Sequence, residues 1–206
     1  ITQKCTLSLE LGELETLSQQ TFRSFAHKVQ ALKWFQAGGE DAGKKVLDDF
    51  LWNRAKNYSY HISKPFESQD SCSRLSPYIA FGCLSVKYIY QETQKRIQEL
   101  KKIAEKSPDS YESGLAKNHH KQLDFFLARL HWQSHFIQKL EDEPSIEWKN
   151  LNPAFDTIRY QADEGLIERV FAGKSGIPYI DATIRQLHAT GWCNFRSRSI
   201  LMSFLC

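Results

Sequence analysis

The sequence predicts an all-α domain. Three observations carry that prediction. Apolar residues recur at three- and four-residue spacing through most of the chain. No stretch alternates polar and apolar residues with period two. Pro178 and Gly191 bracket one periodic run, standing where a helix starts and stops.

A chain of 206 residues suits one domain with a short appendage and is long enough to bury a core. With 41% hydrophobic and 25% charged residues it reads as an ordinary globular protein, which excludes the disordered and fibrous classes. Aromatic residues, at 13%, are plentiful enough to point to a flat ligand, a stacking surface or a bulky core. A net charge of +3 falls short of a nucleic-acid signature. The five cysteines, Cys5, Cys72, Cys83, Cys193 and Cys206, are scattered without a Cys-x-x-Cys pair. They are expected to be reduced thiols in a cytoplasmic protein. No apolar run approaches about 18 residues, so no membrane span is expected. The chain opens at Ile1 without methionine or signal peptide and stops at Cys206 inside an apolar pattern, so it is expected to be a piece of a longer protein.

Residues 1–38 are expected to be a leading segment, loosely helical over Glu13 to Phe35 through Leu17, Phe22, Phe25, Val29, Leu32 and Trp34. Gly38-Gly39 then breaks the chain. Ala42, Val46, Leu47, Phe50, Leu51 and Tyr58 predict a helix of about four to five turns, with Glu40 and Asp41 favouring its dipole. Residues 59–72 read as a loop. The run Ser73-Arg-Leu-Ser-Pro77 reads as a loop entering a short helix, with serines able to cap and Pro77 at an early position. Ser85 is expected to cap a long helix on Val86, Ile89, Tyr90, Ile97, Leu100 and Ile103. Residues 107–119 read as an exposed connection. Lys121 to Leu140 carries apolar residues on two faces, which predicts a helix between layers. Residues 145–162 read as loop and Asp163 to Phe171 as a short helix. A last helix pair follows, turned by Gly191, the natural residue for a left-handed cap.

Several groups carry chemical meaning. Ser73, Leu75 and Ser76 at the mouth of a helix offer the hydroxyls, N–H donors and dipole that a phosphate needs, although most such serines are simple caps. Trp132 offers an indole face for stacking or for core packing. Arg196 and Arg198 stand among apolar residues and either snorkel outward or face an anionic ligand. His131 and His135 have metal-ligand spacing, but no third ligand follows, so no metal is expected. Lys101, Lys102, Lys106, Lys117 and Lys121 read as a solvated face.

The run Gly176-Ile-Pro-Tyr-Ile-Asp-Ala-Thr-Ile-Arg-Gln-Leu-His-Ala-Thr-Gly-Trp192, followed by Asn194-Phe-Arg-Ser-Arg198, resembles the flavin-binding helical domain of the DNA photolyase and cryptochrome family. Ser73-Arg-Leu-Ser-Pro-Tyr78, with Gly82 and Leu84-Ser85, matches that family's most specific motif. Phe35 to Ala42 and Asn57-Tyr58 ahead of Lys64-Pro65 add weaker likenesses. The resemblance covers roughly Trp34 to Cys206 and implies that residues 39–206 are the N-terminal part of the helical domain.

It implies FAD contacts at Tyr58, Ser73, Arg74, Leu75, Ser76, Phe126, Arg129, Gln133 and Arg198. It also implies contacts to damaged DNA at Trp132, Phe195 and Arg196. Trp132 shares a helical face with Phe125 and Arg129, while Phe126 and Gln133 turn to the neighbouring one. No catalytic residue is assigned within the segment. Arg129 stands where many members have a carboxylate and Gln133 where they have arginine, which points to a divergent, bacterial-type subfamily. The family's antenna domain and acidic residues near the flavin ring are expected outside this segment, and the antenna pigment stays open. The expected parent is a blue-light-driven, FAD-dependent deoxyribodipyrimidine photo-lyase. Alternatives are a cryptochrome photoreceptor without repair activity and a non-catalytic all-α interaction module. The segment alone is expected to hold FAD weakly or not at all.

Overall fold

The structure, a computed structural model, describes residues 35–157 and 163–205. The expected leading helix lies, as far as Trp34, outside the described residues. Among those described every regular element is helical, as the periodicity predicts.

Helix α1 (Glu40–Trp52) opens at Gly39, whose φ of 96° suits only glycine without strain. It buries Leu47, Phe50 and Leu51 and approaches Tyr78 and Leu84 so closely that a Cβ at Gly43 would meet both at 3.0 Å. The expected helix through Tyr58 is corrected. α1 stops at Trp52, a 3-10 turn covers Arg54–Asn57, and Tyr58 begins the short α2 (Tyr58–His61). That turn lets the Arg54 side chain double back to the Val46 carbonyl, which a continuous helix would not allow.

Two short helices follow, α3 (Ser68–Ser71) and α4 (Ser76–Ala80). Pro77 takes its early position in α4, but neither serine caps: Leu75 holds the N-cap place and no side chain bonds there. Ser85 does cap α5 (Val86–Lys106), accepting from the Tyr88 N–H at 3.1 Å.

The expected connection over 107–119 is corrected too. Ser110 accepts from the Ser113 N–H and starts α6 (Tyr111–Asp142) at Tyr111. The Ser113 hydroxyl donates to the Ala104 carbonyl at 2.9 Å, and at the far end His131 meets Tyr90 at 6.2 Å, so α5 and α6 form an antiparallel hairpin.

The main core gathers Leu47, Phe50, Tyr58, Leu75, Ile89, Ile97, Leu123, Phe126 and Trp192. Each fully buried side chain of this size stabilises by about 1.5–3 kcal/mol relative to exposure. The two-faced reading of α6 is corrected: Ala116, His119, Leu123, Phe126 and Leu127 bury a single face, while Phe125, on the other expected face, is exposed. α6 has 32 residues against 21 in α5, so it runs past its partner and leaves Trp132, Phe136, Ile137 and Leu140 exposed.

After 3-10 turns at Pro144–Glu147 and Pro153–Thr157 come α7 (Glu164–Phe171), α8 (Pro178–Thr190) and α9 (Phe195–Leu205). Val170, Ile180, Ile184 and Leu201 pack as a second, smaller core. The Asp181 carboxylate accepts from the Ser175 N–H and hydroxyl, both at 2.7 Å, and from the Gly176 N–H, which fixes the loop before α8 and lowers its own pKa. Gly191 caps α8 in the left-handed region at φ 66°. Asn194 then accepts from the Ser197 N–H at 2.8 Å and reaches the Ile62 carbonyl at 3.4 Å, tying α9 to the loop after α2.

Candidate functional site

A cavity of about 490 Å³ opens where α2, the loop before α4, α6 and α9 meet. Its floor is apolar, built from Phe126, Leu130, Leu75 and Ile79. Tyr58, Ser73 and Ser76 bring hydroxyls to one side. Arg129, Trp132 and Gln133 line it from α6, and Phe195, Arg196 and Arg198 from α9. Of the residues to which the resemblance gives cofactor or DNA contacts, Arg74 alone is missing from this wall. It lines an adjoining cavity of about 130 Å³ with Trp192, Cys193 and Asn194.

Packing explains these positions. Phe50 meets Phe126 at 4.8 Å and Tyr58 at 5.6 Å, both edge to face, so three aromatic rings brace one another under the cavity. Burial pushes the Tyr58 phenol up, which keeps it protonated and able to donate. Phe126 is 3% exposed and Trp132 48%, so the first is floor and the second rim. The separate faces expected for Phe126 with Gln133 and for Trp132 with Arg129 therefore open onto one shared space.

The Arg129 guanidinium lies 5.1 Å from the Phe125 ring centroid and 5.3 Å from that of Trp132. Arg196 and Arg198 are exposed, so the cost of a buried unpaired cation does not arise. The cavity is lined by three arginines and no carboxylate among the described residues. Its field favours an anion.

The loop from Cys72 to Ser76 has an unusual backbone. Arg74 has φ 61°, the one positive φ outside glycine among the described residues, and Leu75 follows in the right-handed helical region. Alternation of this kind makes successive N–H groups converge into an anion-binding concavity. The N–H groups of Ser73, Arg74, Leu75 and Ser76 donate to no described residue. The expected dipole contribution is corrected: α4 has only five residues, so the donors are the loop amides themselves.

Arg74 is held in place from two sides. Its guanidinium stacks on Trp192 at 4.2 Å, its Nε donates to Gln36 Oε1 at 3.2 Å, and Gln36 Nε2 donates to the Arg74 carbonyl at 3.0 Å. Burial is the main cause lowering its pKa, with Arg54 adding to it. Cys72, buried beside the same loop, is pushed up to about 11 and stays a thiol.

His131 packs against Tyr90, and His135 meets Phe136 at 5.4 Å. Sequence reasoning missed Ser63, Ile79 and Phe136 in the cavity wall, and Arg54 behind the loop. Phe136 follows Trp132 by one helical turn and was visible as an aromatic pair; Ser63 has no signal of its own.

Comparison with known proteins adds a second line of observation. Residues 126–206 match the family model described as the FAD binding domain of DNA photolyase. A protein named cryptochrome DASH from Synechocystis sp. is 32% identical over 82% of this chain and 31% of its own length. A deoxyribodipyrimidine photo-lyase from Streptomyces griseus is 29% identical over 82% of this chain and 31% of its own length. The crystal structure of a Synechocystis cryptochrome superposes with a TM-score of 0.65 at 28% identity, covering 82% of this chain and 32% of that one. The chain spans about a third of the length of the curated relatives it matches.

Proposed function

The chain belongs to the DNA photolyase and cryptochrome family, and from that premise we propose that it forms part of a blue-light-driven, FAD-dependent enzyme that repairs pyrimidine dimers in DNA. The observation that carries the reading is the single cavity that joins an anion-binding loop, an apolar floor and a stacking indole.

FAD combines a flat apolar ring system with a doubly charged diphosphate, and the residues fit both parts. The amides of Ser73 to Ser76 and the Tyr58 hydroxyl would hold the phosphates, with Arg198 adding charge. Phe126, Leu75 and Ile79 would bury apolar surface of the cofactor, with Arg129 and Gln133 offering polar contacts at its margin. When bound, FAD supplies the light-absorbing group and the electron that splits the dimer.

The protein's own part is binding, orientation and exclusion of water. A base cannot be reached inside the stack, so the damaged pair must leave the duplex. Trp132 and Phe195, both exposed at the rim, offer faces on which it can stack, and Arg196 lies beside them for a backbone phosphate. A photoreceptor without repair activity is favoured by the relatives named cryptochrome DASH, and the same cavity would serve it.

The test uses the full-length protein that contains this segment. Purified protein should carry FAD and restore dimer-bearing DNA under blue light but not in the dark. Flavin retained without repair supports the photoreceptor, and a protein unable to take up flavin leaves an interaction module.

A further inference from the structure

Arg54 does not line the cavity, yet all five of its N–H donors are engaged around the loop that does. Nε pairs with the Asp49 carboxylate at 2.5 Å. One terminal nitrogen donates to the carbonyls of Asp70, at 3.3 Å, and Cys72. The other donates to those of Val46, at 3.1 Å, and Ser73, at 3.3 Å. The guanidinium also lies 5.6 Å from the centroid of Phe50, the ring that braces Tyr58 and Phe126.

The consequence follows from the planar trans peptide, in which a carbonyl and the next N–H point in opposite directions. With the Cys72 and Ser73 carbonyls drawn toward Arg54, the N–H groups of Ser73 and Arg74 face away from it. Neither finds an acceptor among the described residues. The left-handed turn at Arg74 then aligns the next two amides with them.

Resting on the FAD reading above, we infer that Arg54 is a positioning residue for the dinucleotide phosphates: it turns the carbonyls of Cys72 and Ser73 inward so that the loop presents amides, not oxygens, to the anion. Without it those peptides are free to rotate, and a carbonyl oxygen facing the diphosphate would repel it. Such a residue governs selectivity for the phosphorylated cofactor over the bare flavin. A residue that merely stabilises the fold would weaken both alike.

The experiment titrates flavin-free full-length protein with FAD and, separately, with riboflavin, which lacks phosphate, following flavin fluorescence. Arg54→Gln should weaken FAD binding on the order of tenfold to a hundredfold, the worth of charge-assisted hydrogen bonds. Riboflavin should change by about twofold at most. Arg54→Lys should fall between, because a point-charge ammonium cannot serve four carbonyls in a planar fork. Asp49→Asn, which keeps Arg54 but removes its counter-ion, should give a smaller loss with the same selectivity, and decides the matter if Arg54→Gln does not fold. Equal losses for the two flavins, or unchanged FAD affinity, would overturn the inference. Wild-type protein binding riboflavin as tightly as FAD would overturn it together with the diphosphate reading. A wild-type preference for FAD that survives Arg54→Gln sinks the role of Arg54 alone.

Discussion

The Arg74 guanidinium carbon lies 4.2 Å from the centroid of the Trp192 ring, joining the loop before α4 to the corner between α8 and α9. Trp192 is 8% exposed and belongs to the main core, so it is both a packing residue and the platform for a strained turn. Trp192→Ala should cost about 3–5 kcal/mol of stability, the range for truncating a buried aromatic. Denaturant unfolding checks this, and a loss under about 1 kcal/mol would mean that the corner is held by other contacts.

Arg74→Gly weighs two effects of opposite sign. Glycine relieves a left-handed conformation that costs an ordinary residue about 1–2 kcal/mol. It also removes a cation–π contact worth about 0.5–2 kcal/mol. Stability should therefore change by about 1 kcal/mol or less, whereas Arg74→Val, branched at Cβ and keeping the strain without the charge, should lose more. A Gly variant as unstable as the Val variant would contradict the assignment of strain.

His119 gives a pH dependence of defined sign. Burial, then the nearby charges of Arg96 and Lys56, push its pKa down to about 4, against an opposing backbone bond to Leu51. Its Nε2 has no hydrogen-bond partner among the described residues. The unfolded chain, near the ordinary value of about 6.5, binds the proton more readily than the folded one. Stability is complete above pH about 6.5 and falls as pH drops toward 4. Unfolding measured at several pH values should show this slope, and His119→Gln should flatten it in that window. An unchanged slope would rule out His119 as its source.

Much of the fold is legible from periodicity, and the reasons for what is not are local. α8 is readable because Pro178, Ile180, Ile184 and Gly191 all mark it. The first turns of α6 are not, because, of their buried positions Ser113, Ala116, His119 and Gln122, only Ala116 is apolar. Two of them find partners on other elements: the Ser113 hydroxyl donates to the Ala104 carbonyl, and the Ser59 N–H donates to Gln122 at 2.6 Å. In the site, hydroxyls, aromatics and arginines announce themselves. Arg54 does not, because its meaning lies in carbonyls spread from Val46 to Ser73. Nor does the left-handed turn at Arg74, where no glycine flags it.

The 206-residue polypeptide by itself should bind FAD weakly. Trp132, Phe136 and Phe195 border the cavity yet are 48%, 55% and 63% exposed, so a flat ring placed among them would stay half in water. Burial contributes at roughly 25 cal/mol per Å² of apolar surface, and losing half the enclosure of a cofactor forfeits much of it. Gel filtration after incubation with FAD should separate cofactor from protein. A yellow, stoichiometric complex would show that these residues enclose the ring unaided.

In the full-length protein, Trp132→Ala and Phe126→Ala should fail in different ways. Trp132 is half-exposed at the rim, where its truncation removes little packing but one stacking face. DNA bearing a dimer should bind more weakly by about 1–3 kcal/mol, the usual worth of a base–aromatic stack, with flavin content nearly unchanged. Phe126 is buried against Phe50 and Tyr58, and its loss should cost about 3–5 kcal/mol of stability and release flavin first. DNA binding would then decline only as a consequence. Thermal midpoint, flavin absorbance and DNA affinity measured on both variants separate the two roles. Should Trp132→Ala mainly lower the thermal midpoint and spare DNA affinity, the indole is a packing residue and its assignment as a stacking face is withdrawn.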